Sequence, residues 1–185
     1  MYITGGILLA IAIIVVMWGI SIYNQLVRRR TLKEEGWSGI DVQLKRRHDL
    51  VGNLVNSVKG YMQHEKTVLE EVTKMRAMSR DANGVAAVAS AETGLSQALG
   101  RLFAVMENYP DIKANTNVLQ LQDSLASLED EIQKARRYYN ATARDLNILV
   151  QSFPSNIIAN RFGFSSSEFF ELENNIERDA PQVTF

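Results

Sequence analysis

The sequence predicts an all-α protein: an N-terminal transmembrane helix followed by an antiparallel bundle of three long helices with a short C-terminal helical segment. Residues 3–22 read ITGGILLAIAIIVVMWGISI, twenty residues without a charge, the length a helix needs to cross the hydrocarbon core of a bilayer. From Trp37 onward apolar residues recur at steps of three and four, which is the period of an amphipathic helix and excludes strands. Three prolines interrupt a chain of 185 residues in which Ala, Leu, Glu, Gln and Lys, all good helix formers, abound.

The anchor comes first. About ten of its residues are Ile, Leu or Val, each favouring insertion by roughly 0.3 to 0.6 kcal/mol at the helix centre. Tyr2 at one end, and Trp18 and Tyr23 toward the other, supply amphipathic rings that settle at headgroup level. Arg28, Arg29, Arg30 and Lys33 follow, and the segment before the span carries only the terminal amine. The positive-inside rule therefore predicts a single-pass protein of an inner-type (plasma) membrane, N-terminus outside and C-terminal domain cytoplasmic. A cleaved signal peptide would need a positive n-region, a shorter apolar core and an Ala-x-Ala-like site, and all three are missing. Gly6 and Ala10 form a small-xxx-small pair that lets two anchors approach, or else they face lipid.

The first stripe runs through Trp37, Ile40, Leu44, Val51, Leu54, Val58, Tyr61, Val68, Val72 and Met75, and stops at Arg80-Asp81-Ala82-Asn83-Gly84. A second helix follows with Val85, Val88, Leu95, Leu99, Leu102 and Met106, ending near Asn108-Tyr109-Pro110-Asp111, where proline blocks continuation. The third carries Val118, Leu121, Leu125, Leu128, Ile132, Ala135, Tyr139, Leu146 and Leu149 up to Phe153-Pro154. Consecutive long helices imply antiparallel neighbours. Beyond Pro154, Ile157, Ile158, Phe162, Phe164, Phe169, Phe170 and Phe185 are expected to pack back on the bundle. Ser165-Ser166-Ser167-Glu168 offers a capping box for a short helix through Leu172. The expected division is an anchor over 1–24, a juxtamembrane helical arm over 25–50 and a bundle domain over 51–185.

Extended by sevens from Trp37 and Ile40, the first stripe passes through Arg47 and Glu65, long charged side chains at apolar positions. Either they snorkel to water at the stripe's edge, or they belong to a buried polar network. Folding the second helix back about Ala82 places Glu65 opposite Arg101 and Arg76 near Glu92. The candidate network is therefore Arg47, Glu65, Arg101, Arg76 and Glu92. Breaking one partner of a buried pair costs roughly 3 to 5 kcal/mol, and of an exposed pair less than about 1 kcal/mol.

The stretch Trp37-Ser38-Gly39-Ile40-Asp41-Val42-Gln43-Leu44-Lys45-Arg46-Arg47-His48-Asp49-Leu50-Val51-Gly52-Asn53-Leu54-Val55, then Val58-Lys59-Gly60-Tyr61 and His64-Glu65, closely resembles the LemA family of bacterial membrane proteins. The resemblance continues through Leu99-Gly100-Arg101-Leu102, Glu107-Asn108-Tyr109-Pro110-Asp111-Ile112-Lys113-Ala114-Asn115, Ala135-Arg136, Tyr139-Asn140, Ser152-Phe153-Pro154, Gly163-Phe164 and Pro181-Gln182-Val183-Thr184-Phe185. It implies a single-pass protein with a helical-bundle domain and carries over no catalytic residue. Family genes often neighbour membrane metallopeptidases, which suggests such a partner. The family pattern usually has proline where this chain has Gly52, and since both residues weaken a helix, a bend is expected there. The alternative is a straight helix tolerating glycine at roughly 1 kcal/mol.

Catalytic chemistry finds no foothold. There is no cysteine, no Glu-x-x-His pair, no His-Glu-x-x-His, no Walker-type loop and no Gly-x-Ser-x-Gly elbow. His48 and His64 stand roughly 24 Å apart along a straight helix, too far to share a metal, and His48 beside Asp49 reads as a surface residue. A net charge of −1 and a pI near 6.2 disfavour nucleic acid. The run Lys45-Arg46-Arg47, with Lys59 and Lys66, reads as a solvated face or as a contact to anionic headgroups or an acidic partner. The expected function is a membrane-anchored helical scaffold or assembly protein without catalysis or cofactor, self-associating and organising or shaping the membrane. The alternative is an adaptor or regulator of a membrane partner such as a metallopeptidase. Partners are membrane lipid, further copies of the chain and another membrane protein.

Overall fold

The computed structural model describes residues 2–171, and among these the chain is helical, in the order α1 Tyr2–Val58, α2 Lys66–Asp81, α3 Val85–Met106, α4 Pro110–Lys113, α5 Thr116–Gln151 and α6 Ser155–Arg161. The N-terminal stretch of α1 is long and apolar enough to cross a membrane, and none of its most apolar window is buried by the rest of the chain. The helix continues past Tyr23 and Trp37 without a break. Two compact units divide the chain, one formed by Met1–Ile40 with Ala135–Phe169, the other built on Asp41–Lys134.

In the second unit the long first stripe is folded in two. No break in the helix falls at Gly52, and α1 runs on to end at Val58. Lys59–Glu65 forms a reversal in which the Tyr61 and Met62 amides both bond the Val58 carbonyl, at 3.0 and 3.1 Å. Met62 fills the corner, fully buried among Val51, Leu54, Val58, Leu69, Val72, Leu95, Leu99 and Leu102. Burying Met62 there fixes the turn, since a full apolar side chain removed from water contributes roughly 1.5 to 3 kcal/mol. The bundle thus takes four helical segments, the end of α1, α2, α3 and the start of α5.

Gly84 sits between α2 and α3 at φ +87°, a backbone region open to glycine and little else. Asn115 starts α5 by accepting the Asn117 and Val118 amides on its side-chain oxygen, at 3.0 and 3.3 Å, the bonds that make Asn a favoured N-cap.

The first unit packs α1 on α5 and α6. Its core holds Leu26, Leu146, Val150, Ala159 and Phe164, with Ile22, Val27, Leu149 and Ile158 against them. The closest approach is at Gly36, where an added Cβ would stand 3.1 Å from the Tyr139 Cα and 3.3 Å from Thr142 Oγ1. Trp37 then meets the Tyr139 ring edge-on at 5.5 Å between centroids.

The short C-terminal helical segment is α6, whereas the described part of the helix expected from Ser165 to Leu172, residues 165–171, is not helical. Asn147 of α5 competes for that backbone: its amide accepts the Ser167 N–H at 2.7 Å and donates to the Ser167 carbonyl at 2.9 Å. Tyr139 Oη donates to the Glu168 carbonyl at 2.9 Å. Backbone groups that a helix would have used are thereby taken by side chains of α5. Of the apolar residues expected to pack back, Phe164 and Phe170 are buried, but Ile157, Phe162 and Phe169 are exposed. Leu172 and Phe185 lie outside the described residues.

Candidate functional site

A buried polar cluster occupies the four-helix unit. Arg47 of α1 donates from Nη1 to Glu92 Oε2 of α3 at 2.9 Å and from Nη2 to Ser96 Oγ at 2.8 Å. The same Nη2 stands 3.2 Å from Glu129 Oε2 of α5, at the cluster's edge. The next residue, His48, joins the cluster, its Nε2 lying 2.9 Å from Ser79 Oγ of α2 and 3.0 Å from Glu92 Oε1. The Ser79 hydroxyl donates to that same carboxylate oxygen, so the consistent tautomer carries its proton on Nε2 and aims it at Glu92. Arg76 of α2 donates from Nε to the His48 carbonyl at 2.6 Å.

The local sequence explains the placement. Arg47 and His48 fall between Leu44 and Val51, and Glu92 between Val88 and Leu95, on stripes that face the core. Burial is the largest influence on the Glu92 carboxyl and would push its pKa up. The His48 hydrogen bond, the Arg47 charge and the Ser79 hydroxyl together outweigh it, holding the group below the ordinary carboxylate range. Glu92 is thus an anion kept in the core by donors from α1 and α2.

Gly52 has a role that its helix-weakening character concealed. A Cβ there would meet the Arg76 guanidinium at 3.0 Å. The missing side chain lets Arg76 lie on α1 and reach the carbonyl of His48. Asp49, Gly52, Asn53, Thr73 and Arg76 line a depression beside it.

The structure brings Arg47 and Glu92 together and places Arg76 beside them, bonded to backbone. It does not bring Glu65 to Arg101. Arg101 is exposed and pairs with Glu71 at 2.8 Å, while Glu65 accepts from the Tyr109 hydroxyl at 3.3 Å. The cause is register: α3 is displaced along α2, so that Arg101 faces Glu71 and Glu92 faces Ser79, not Arg76. His48, read from sequence as a surface residue, is buried. Its position four residues after Leu44, on the apolar stripe, was the signal that could have found it.

Chemically the cluster is a clamp. A Ser–His–carboxylate relay needs the hydroxyl on one ring nitrogen and the carboxylate on the other, whereas Ser79 and Glu92 share Nε2 and Ser79 donates to Glu92 directly. What the arrangement does is join α1, α2, α3 and α5 through charged and directional bonds.

The residues expected at the membrane flank lie in the other unit. Trp18 and Tyr23 are 39% and 38% exposed. Arg28 is exposed, Arg29 bonds Asp145 of α5 at 2.8 Å, and the Arg30 guanidinium lies 5.1 Å above the Phe164 ring centre. Tyr2 opens α1, and its side chain lies outside the described residues.

Comparison with known proteins places the chain among relatives of one family. The LemA family model matches residues 36–185. Magnetosome protein MamQ 2 of Paramagnetospirillum magneticum is 30% identical over 175 residues, covering 80% of this chain and 64% of that protein. Magnetosome protein MamQ of Magnetospirillum gryphiswaldense is 26% identical over 174 residues, with the same two coverages of 80% and 64%. Protein LemA of Metamycoplasma hominis is 27% identical over 157 residues, covering 84% of this chain and 71% of that protein. The chain therefore spans 64% of the length of the MamQ relatives. With a family match over most of its length, this chain belongs to the LemA family.

Proposed function

We propose that the protein is a membrane-tethered helical scaffold that self-associates and organises or shapes the bacterial plasma membrane, without catalysis. The observation that carries this reading is α1, a single unbroken helix from Tyr2 to Val58 that is long and apolar enough to cross a membrane at one end and is a bundle helix at the other. A span confines copies to two dimensions and raises their effective concentration, so weak lateral contacts suffice for assembly. Among the described residues nothing comes within 4 Å of a Cβ added at Gly5 or Gly6, which leaves the small-residue face of the span open to a neighbouring span. The buried cluster supports a fixed helix register, and relatives named as magnetosome proteins fit a membrane-associated role. Arg28, Arg29 and Arg30 on the C-terminal flank of the span support a cytoplasmic bundle.

The test is native-size analysis of the full chain in mild detergent across a concentration series. Oligomers that grow with concentration are expected. Monomer throughout, with a stoichiometric second protein captured by cross-linking in membranes, would replace this reading with that of an adaptor for a membrane partner.

A further inference from the structure

Helix α6 belongs to the same unit as the end of the membrane span, and it packs on it. A methyl group built on Gly19 would stand 3.9 Å from Ile158 Cδ1, an ordinary van der Waals contact. One turn further along α1, the Tyr23 ring meets Phe162 at 4.9 Å and Phe164 at 5.9 Å, both edge-on. The inner side of α6 is thereby accounted for, with Ser155 and Ala159 buried and Ile158 half-buried.

Its outer side, with the far edge of Phe162, stays exposed among the described residues. Phe153 in the turn before α6 is 79% exposed, Ile157 56% and Phe162 57%. Water is a poor neighbour for three large apolar side chains gathered within ten residues of sequence, and such clusters mark contact surfaces. Their level along α1 names the neighbour. Gly19 to Tyr23 is the stretch flanked by Trp18 and Tyr23, rings that settle among lipid headgroups when the apolar stretch spans a bilayer. Whatever packs beside that stretch sits at the membrane surface too. Arg161, four residues after Ile157 and exposed, joins Arg28 and Arg30 as cations at this level, suited to anionic headgroups.

We propose that α6 and the turn before it form a second membrane contact, inserting Phe153, Ile157 and Phe162 into the headgroup and upper acyl region of the leaflet next to the end of the span. A short helix with an apolar outer face and a flanking cation lies in the interface plane. The contact fixes the rotation of α1 about its axis and holds the α5–α6 corner on the bilayer. It rests on the reading of α1 as a span, which the experiment checks separately.

The chain contains no cysteine, so single-cysteine variants report cleanly. Ile157→Cys and Phe153→Cys carry a nitroxide, with Ile11→Cys in mid-span and Asp130→Cys on the bundle as references. The full chain is reconstituted in phosphatidylcholine vesicles containing 30% phosphatidylglycerol, and collisions with oxygen and with a water-soluble nickel chelate give depth. Labels at 153 and 157 are expected in the interface, with oxygen collisions favoured several-fold over those at 130, and the label at 11 is expected deeper still. If 153 and 157 match 130 while 11 is deep, the second contact is refuted and the span stands. If 11 is also in water, the span reading falls with it. Shielding of 153 and 157 from both relaxants would mean a protein occupant and would equally overturn the proposal.

Discussion

Arg47 and Glu92, 45 residues apart in sequence, meet with Nη1 and Oε2 at 2.9 Å, and both side chains are buried. Around this pair α1, α2, α3 and α5 are held in register, because Ser79, His48 and Glu129 each bond to one of the two. Buried pairs of this kind are better at specifying an arrangement than at adding net stability.

Removing one partner should therefore be worse than removing both. Arg47→Met leaves the Glu92 carboxylate buried without its cation and is expected to lower unfolding free energy by roughly 3 to 5 kcal/mol. The double variant Arg47→Met/Glu92→Met is expected to be more stable than Arg47→Met alone. Urea denaturation of the two variants and their parent checks this, and strictly additive losses would contradict it.

Acid should weaken the same cluster. The folded-state pKa of Glu92 is depressed, with His48, Arg47 and Ser79 prevailing over burial. Its contribution is fully present above the unfolded value of about 4.3 and is lost as pH falls through the lower folded value. Arg47, His48 and Ser79, the groups bonded to it, stay in place in Glu92→Gln, as do Glu129 on Arg47 and Arg76 on the His48 carbonyl. That variant is expected to lose stability at neutral pH and to show a shallower decline below about pH 4.3 than the parent. Parallel profiles would contradict the assignment.

Gly52 and Arg76 should be coupled. In an Arg76→Ala background, Gly52→Ala is expected to stabilise by about 1 kcal/mol, the ordinary helix-propensity gain. With Arg76 present the added methyl meets the guanidinium at 3.0 Å, so the gain is reduced or reversed. Four melting curves complete the cycle, and equal effects in both backgrounds would remove the proposed reason for glycine at this position.

Gly36 should be intolerant. Its Cβ position stands 3.1 Å from backbone of α5, which cannot move aside as a side-chain tip can. Gly36→Leu is expected to destabilise by roughly 1 to 3 kcal/mol through overpacking and to alter Trp37 fluorescence, since Trp37 touches Tyr139. Unchanged emission and melting would count against this packing.

Much of this was legible in residue periodicity. The long apolar N-terminal helix, the helical stripes and the turn at residues 82–84 follow from local composition, which the chain expresses wherever no long-range contact opposes it. The reversal at Lys59–Glu65 did not, because the stripe's period continues from Val58 through Tyr61 to Val68 and only the burial of Met62 decides that the chain turns. Arg47 was visible as a charge on an apolar stripe, and Glu92 through the fold-back that set it near Arg76. Their partners were not, since the offset of α3 along α2 is set by how the two helices pack beyond the turn, and that offset sends Arg101 to Glu71. His48 was misjudged by its neighbour Asp49 when its place on the stripe was the better guide. Residues 165–171 failed as a helix because Asn147, twenty residues away, takes both backbone groups of Ser167.

Electron cryo-microscopy of the full chain in lipid vesicles, at rising protein-to-lipid ratio, tests the scaffold reading most directly. The account predicts lateral clusters or ordered arrays on the membrane, with vesicle curvature changing where they form. Particles that stay isolated and monomeric on undeformed vesicles at every ratio would contradict it.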